Sequence, residues 1–284
     1  MSATISVGLA QITTPPGEPE KNRERSLTAA EELFRQGANL VVLPELIASG
    51  YSTDRELMLS VAEAVDGPTV RAWQALAERA QGVIVGGFCE RLGDALFNSA
   101  VAVDASGLLL HYRKLHLFSS EKGCFTPGDL GLPVAETPFG PLAVCVCYDL
   151  RFVETARALS LQGAALICAP TAWLPGFDDE RWDEHGFCPQ ARNALMQANL
   201  DQVYIACASQ AGVSGGYDFL GSSLISDPYG RAALGPLPGS VPALAIAEID
   251  LDAARRAQDR DLLINPRRDR RTDVYGLTVS GTVL

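Results

Sequence analysis

Five short runs limit what this chain can fold into: "NLVVLPE" (39–45), "GVIVGGF" (82–88), "GPLAVCVC" (140–147), "AALICAP" (164–170) and "VYIACASQ" (203–210). A strand with one wet face alternates apolar and polar residues. A run that is apolar throughout suits a strand covered on both faces, inside a sheet flanked by helices. Helical periodicity lies between these runs. Residues 18–36 place Leu27, Ala30 and Phe34 on one face and stop at Gly37. Further helices are predicted over 69–80, 151–162, 189–199 and 252–258, the fourth with Pro189 at its start, where proline is tolerated. "ISVGLAQI" and "ALAIAEIDL" read as strands near the two ends, and 97–114 as a hairpin turning at 104–107. The layout is α/β.

No linker or low-complexity stretch divides the 284 residues, so residues 1–264 are read as a single domain. Residues 265–284 have no clear period and end apolar, as a tail docked on a neighbouring subunit would. The net charge is −11, which repels nucleic-acid phosphate and anionic lipid alike. The basic stretch at 267–271 is interrupted by Asp269 and reads as salt-bridging surface or interface. The opening residues lack a basic-then-apolar leader, no run approaches a membrane span, and the seven cysteines sit mostly in apolar strands. These features lead us to expect a soluble protein of a reducing compartment, the cytoplasm.

The pair Cys145 and Cys147 could be buried packing, half of a metal site, or a nucleophile. No second ligand pair completes a tetrahedral zinc set, although His111 and His116 are near in sequence, so no metal is expected. No Gly-x-Ser-x-Gly string leads from a strand into a helix as a nucleophile elbow does, and "VGGF" lacks the rest of a phosphate loop. A cysteine nucleophile needs a base and a positive neighbour, and a carboxylate in a dry pocket can be that base. Glu45 ends one apolar strand, Lys114 follows another, and Cys147 ends a third. Taken singly, each would be a solvated strand terminus. Three together, at strand ends where α/β sheets build sites, point to chemistry. Cys145 and Cys147 alternate onto one face, so position separates them. Cys145 lies within the strand, whereas Cys147 precedes a helix whose N-terminus would favour a thiolate.

The blocks "LVVLPELIASGY", "YRKLHLF…EKGCFTPGD" and "VCYDLRFVE" resemble the three motifs of the nitrilase superfamily, the carbon–nitrogen hydrolases. "GLAQI" and "GSSLISDPYGR" extend the likeness over roughly residues 5–265. The resemblance implies a four-layer α-β-β-α sandwich, commonly dimeric, with the C-terminal tail reaching across the partner, and no cofactor. It implies Cys147 as nucleophile forming a thioester and Glu45 as general base. Lys114 and the Tyr148 backbone N–H would stabilise the oxyanion, and Glu121 would position the amide. "CYDLRF" has the form of amidase-type branches rather than the Cys-Trp-Glu of true nitrilases. Asp149 and Arg151 would form a structural ion pair, or Arg151 would hold a substrate carboxylate. Within the loop 169–176, Trp173 would wall off a small acyl chain or simply pack in the core. One departure is the pair Leu200–Asp201, where relatives carry Glu-Asn.

The expected function is therefore hydrolysis of small aliphatic amides to acid and ammonia. N-carbamoyl compounds and ω-amides of dicarboxylates are alternatives that use the same residues. A non-catalytic binding protein on the same fold is the reading from another class. Against it stands the filling of all three motif positions.

Overall fold

A computed structural model describes residues 4–176, 179–261 and 263–284; the first three residues of the opening stretch, and residues 177, 178 and 262, lie outside the described residues. The first half runs β1 (Thr4–Gln11), α1 (Pro19–Arg35), β2 (Leu40–Val42), α2 (Arg55–Val61), α3 (Pro68–Ala80), β3 (Val83–Leu92), β4 (Ala95–Asp104) and β5 (Gly107–Arg113). A short α4 (Glu121–Cys124) leads to β6 (Val134–Thr137), β7 (Gly140–Val144), α5 (Val153–Leu161), β8 (Leu166–Thr171), α6 (Pro189–Asp201) and β9 (Tyr204–Ser209). Then follow β10 (Ala211–Ser214), β11 (Tyr217–Leu220), β12 (Leu224–Ser226), β13 (Ala232–Leu234), β14 (Ala243–Asp250), α7 (Asp252–Gln258), β15 (Thr278–Val279) and β16 (Thr282–Val283).

Two six-stranded sheets form, ordered β14-β1-β2-β3-β4-β5 and β13-β12-β9-β8-β7-β6. The continuously apolar runs occupy their centres: β1, β2 and β3 are parallel, as are β7, β8 and β9. Antiparallel strands flank each trio, and β14 returns from the far end of the chain to pair with β1. The sheets meet face to face. Val7, Leu9, Leu40, Val42, Val83 and Val85 share one buried cluster with Leu142, Val144, Leu166, Cys168 and Ala206. On its other face the first sheet presents Val41, Leu43, Ile84 and Val101 to Leu33 of α1 and to Trp73 and Leu76 of α3. Helices α5 and α6 cover the second sheet through Ala156, Leu159, Ala191 and Ala198. The result is the expected four-layer α-β-β-α sandwich.

Several short elements escaped the periodicity argument. Helix α2 has two turns and is stabilised locally: the Asp54 side chain accepts from the N–H groups of Glu56 and Leu57. The predicted helix over 151–162 begins later, at Val153, because residues 147–151 are taken by a tight 3-10 turn. The tail, read as without a period, carries the β15–β16 hairpin. Its Arg267 docks on the same chain, donating from Nη2 to the Ser160 carbonyl at 2.7 Å and to Ser160 Oγ at 2.8 Å. Arg268 and Arg271 pair with Asp259 and Asp273, consistent with a salt-bridging surface. At the departure from the family pattern, Leu200 is exposed. Asp201 is buried and faces Arg157 Nε at 2.8 Å, which ties α6 to α5.

Candidate active site

Three strand ends deliver three side chains to one point. Beyond β2 the chain bends at Pro44, and Glu45 follows in a loop held by its neighbours. Its N–H donates to the Thr171 carbonyl at 3.3 Å, and its own carbonyl accepts from Gln210 Nε2 at 3.0 Å. Gly87 is glycine because this loop lies against it: a Cβ there would sit 2.7 Å from Leu46 N and 2.8 Å from Glu45 Cα. The "VGGF" run is thus a seat for the Glu45 loop. Lys114 follows β5 directly, with its N–H on the Asn98 carbonyl at 2.8 Å and its carbonyl accepting from Gly128 N–H at 2.9 Å. A Cβ on Gly128 would run into the Arg113 carbonyl.

Cys147 departs from the expectation in two ways. Strand β7 ends at Val144, so alternation does not carry on to Cys147, which opens the 3-10 turn with φ at +48°. Leu46, next to Glu45, is also left-handed at +50°. Non-glycine residues held there store roughly 1–3 kcal/mol of strain each, and such positions cluster at functional sites. The turn is set by buried Asp149. Its Oδ2 accepts from Val146 N–H (2.9 Å) and Tyr112 OH (2.7 Å), and its Oδ1 from His116 N–H (3.0 Å) and His116 Nδ1 (2.8 Å). Asp149 therefore pairs with His116 and Tyr112 as a structural anchor, and Arg151 lies on a cavity wall. The α-helix that follows begins only at Val153, beyond this turn. Burial and the nearby Glu45 carboxylate push the Cys147 thiol well above its ordinary value, against the pull of Lys114 and of the Ala172 backbone. These influences favour the protonated thiol, where the sequence reading has a helix start favouring a thiolate.

Glu45, Lys114 and Glu121 are fully buried, and Lys114 touches both carboxylates. Lys114 Nζ is 2.6 Å from Glu45 Oε1 and 2.8 Å from Glu121 Oε2. Burial alone would lower the Lys114 ammonium, but Glu121 and Glu45 outweigh it and hold it firmly charged. The carboxylates differ in what remains open. Glu121 accepts from Tyr51 OH (2.8 Å), Phe118 N–H (2.9 Å) and Lys114, so both its oxygens are occupied. Glu45 Oε1 takes Lys114 Nζ and Asn98 Nδ2 (2.7 Å), while Oε2 has no hydrogen-bond partner among the described N and O donors. The Cys147 thiol is within hydrogen-bonding reach of this carboxylate. Burial raises the Glu45 carboxyl above the ordinary range, Lys114 opposes this, and Glu121 adds to it. Such a group can accept a thiol proton and return it.

In front of these groups opens a cavity of about 470 Å³, its mouth included. Cys147 and Glu121 reach its wall, whereas Glu45 and Lys114 lie behind. Trp173 is both core and wall: it is almost fully buried, and it lines the cavity beside Phe118, Tyr148 and Leu174. Polar groups on the wall include Arg151, Gln190 and Asn193. Cys147 is partly exposed, while the other six cysteines, Cys145 among them, are buried. Cys145 is held neutral, its thiol driven far upward by burial and by Asp149. Tyr51 and Asn98 were missed in the sequence. Tyr51 stood inside the "LVVLPELIASGY" block, and Asn98 is a polar residue within an apolar strand, which has to find a partner when buried.

The carbon–nitrogen hydrolase family model matches residues 6–259. A nitrilase of Pyrococcus abyssi is 35% identical over 274 residues, covering 95% of this chain and 99% of the relative. The chloroplastic omega-amidase of Arabidopsis thaliana is 30% identical, over 96% of this chain and 74% of the relative. Among solved structures, a mutant of the amidase from Nesterenkonia sp. AN1, showing the result of Michael addition of acrylamide at the active-site cysteine, superposes with a TM-score of 0.78. It is 28% identical and covers 95% of this chain and 98% of that one.

Proposed function

This chain belongs to the carbon–nitrogen hydrolase family, and on that premise we propose that it hydrolyses small aliphatic amides to carboxylic acid and ammonia through a thioester on Cys147. The observation that carries the reading is the division of labour around Lys114: one buried carboxylate with an open oxygen beside the one partly exposed thiol, and one carboxylate already saturated. Cys147 Sγ bonds to the amide carbon as its proton passes to Glu45 Oε2. The carbonyl π electrons move to oxygen, and Lys114 Nζ with the Tyr148 N–H steadies the charge. Collapse breaks the C–N bond, and Glu45 returns the proton to the departing nitrogen. A water then attacks the thioester while Glu45 takes its proton. The C–S bond breaks, the acid leaves, and the sulfur recovers its proton. Glu121, held in place by Tyr51 OH, the Phe118 N–H and Lys114, orients the amide.

The cavity wall of Phe118, Tyr148, Leu150, Trp173 and Leu174 suits a short apolar acyl chain. The acrylamide adduct of the Nesterenkonia amidase is a small amide on a cysteine, in keeping with this reading. A second reading, ω-amides of dicarboxylates, is favoured by Arg151 on the same wall and by the omega-amidase relative. Ammonia release from propionamide, butyramide, a dicarboxylate monoamide, an N-carbamoyl amine and propionitrile decides among them. The first two should be turned over fastest, and no turnover of any amide would end the proposal. A homodimer belongs to the same reading, and Val153, Met196 and Leu200 expose the apolar surface it would bury.

The proton balance sets a pH dependence. With the base raised by burial, kcat/KM should fall on acidification with a midpoint above the ordinary glutamate value of about 4.3. With the thiol pushed well above its ordinary value, no second rise should occur near pH 8.5, where a free cysteine ionises. A rate that climbs through that region would mean direct thiolate attack without Glu45.

A further inference from the structure

We propose that Asn98 is a positioning residue for this reaction, its carboxamide pinning Glu45 Oε1 so that Oε2 stays turned to the Cys147 thiol. The inference rests on the reading of Glu45 as base and Cys147 as nucleophile, and it deepens that reading. Asn98 lies in the middle of β4, paired with Cys89 of β3, and is almost fully buried. Its backbone carbonyl holds the Lys114 N–H at 2.8 Å, and its side-chain Nδ2 donates to Glu45 Oε1 at 2.7 Å. One residue therefore sets the backbone of the cation and the rotamer of the carboxylate. The amide orientation follows from chemistry: a flip would bring Oδ1 against a carboxylate oxygen.

Glu45 Oε2 and Asn98 Oδ1 are two of six buried acceptors without a hydrogen-bond partner among the described residues, and these two lie at the same contact. We read the first as the oxygen left for the Cys147 thiol, which neighbours the same carboxylate. The second is the consequence of aiming Nδ2 at Glu45, because the same carboxamide then presents its oxygen to a dry wall. Buried polar atoms are normally paired, and an exception calls for a reason. Here Nδ2 fills the remaining site on Oε1 beside Lys114. Without it, the carboxylate could turn about its last torsion and offer Oε1 and Oε2 to Lys114 in exchange. The free lone pairs would then face the thiol only part of the time.

Asn98→Leu removes the donor and the orphaned acceptor together. The titratable and charged groups facing Glu45 are Lys114 from the end of β5, Glu121 from α4, Cys147 from the 3-10 turn and Tyr51 from the loop before α2, and none is altered. We expect kcat to fall by about 10²-fold with KM unchanged, the scale of a misplaced catalytic group. The acid limb of Cys147 alkylation by iodoacetamide, followed against pH, should move upward, because a carboxylate that loses a donor ionises less readily. The urea midpoint should hold or rise. Wild-type kcat and an unmoved acid limb in Asn98→Leu would overturn the proposal, as would a slower enzyme with an unmoved limb, since a structural role alone does that. If Asn98→Leu does not fold, Asn98→Ala, which only removes atoms, carries the same readings. Glu45→Gln separates the two levels. If it alkylates as the wild type does, the base assignment fails and this inference with it; if it loses the limb while Asn98→Leu keeps it, this inference alone fails.

Discussion

Cys147→Ala is expected to lower amide turnover by about 10⁴-fold or more, on the scale seen when a covalent nucleophile is deleted. Substrate binding should survive, because the apolar wall and Glu121 remain in place. The fold should survive as well, since the side chain is partly exposed and the turn is held by Asp149 rather than by the thiol. Cys145→Ala should behave in the opposite way. It removes a fully buried sulfur from the core between the layers, so stability drops while turnover persists. Ammonia release and urea titration of both variants check this. An active Cys147→Ala enzyme would move the chemistry elsewhere.

Lys114→Met carries the second large effect, in rate and in stability together. Losing the oxyanion donor should cost about 10²–10³-fold in kcat. It also leaves Glu45 and Glu121, both fully buried, without their shared cation. Removing one partner from a buried charge cluster destabilises by about 3–5 kcal/mol. The pH sign follows from Glu45, whose folded carboxyl is already raised and would rise further. A carboxyl raised on folding contributes stability that is fully present below its unfolded value and lost as pH rises through the folded one. Lys114→Met should therefore be least stable at neutral and alkaline pH and recover towards pH 4–5. Urea midpoints measured across that range test it, and a variant equally stable at both ends would contradict the buried ion cluster.

The sandwich was legible because its central strands must be apolar on both faces, a property written in single runs such as 39–45 and 203–210. The pairing of β14 with β1 was not, since nothing local records which distant strand closes an edge. Glu45, Lys114 and Cys147 could be picked out because each ends or follows an apolar run. Tyr51 and Asn98 could not be singled out by that rule: an aromatic near a loop and one amide in a strand look like packing until their partners are known. The setting of the thiol differs from the one read in the sequence for a physical reason. A helix start after Cys147 suggested a thiolate, but Asp149 draws residues 147–151 into a 3-10 turn, and burial then dominates.

The central claim is that carbon–nitrogen cleavage passes through an acyl group on one particular sulfur. Cys124, Cys145 and Cys147 share a single tryptic peptide, residues 123–151, so the mass of the peptide alone cannot place the adduct. The deciding measurement is fragmentation mass spectrometry of that peptide after an acid-quenched pulse of butyramide. The account predicts a butyryl mass on Cys147, absent from Cys145 and Cys124 and absent from Glu45→Gln. An acyl group on Cys145, or full turnover with no acyl group on any cysteine, would contradict it.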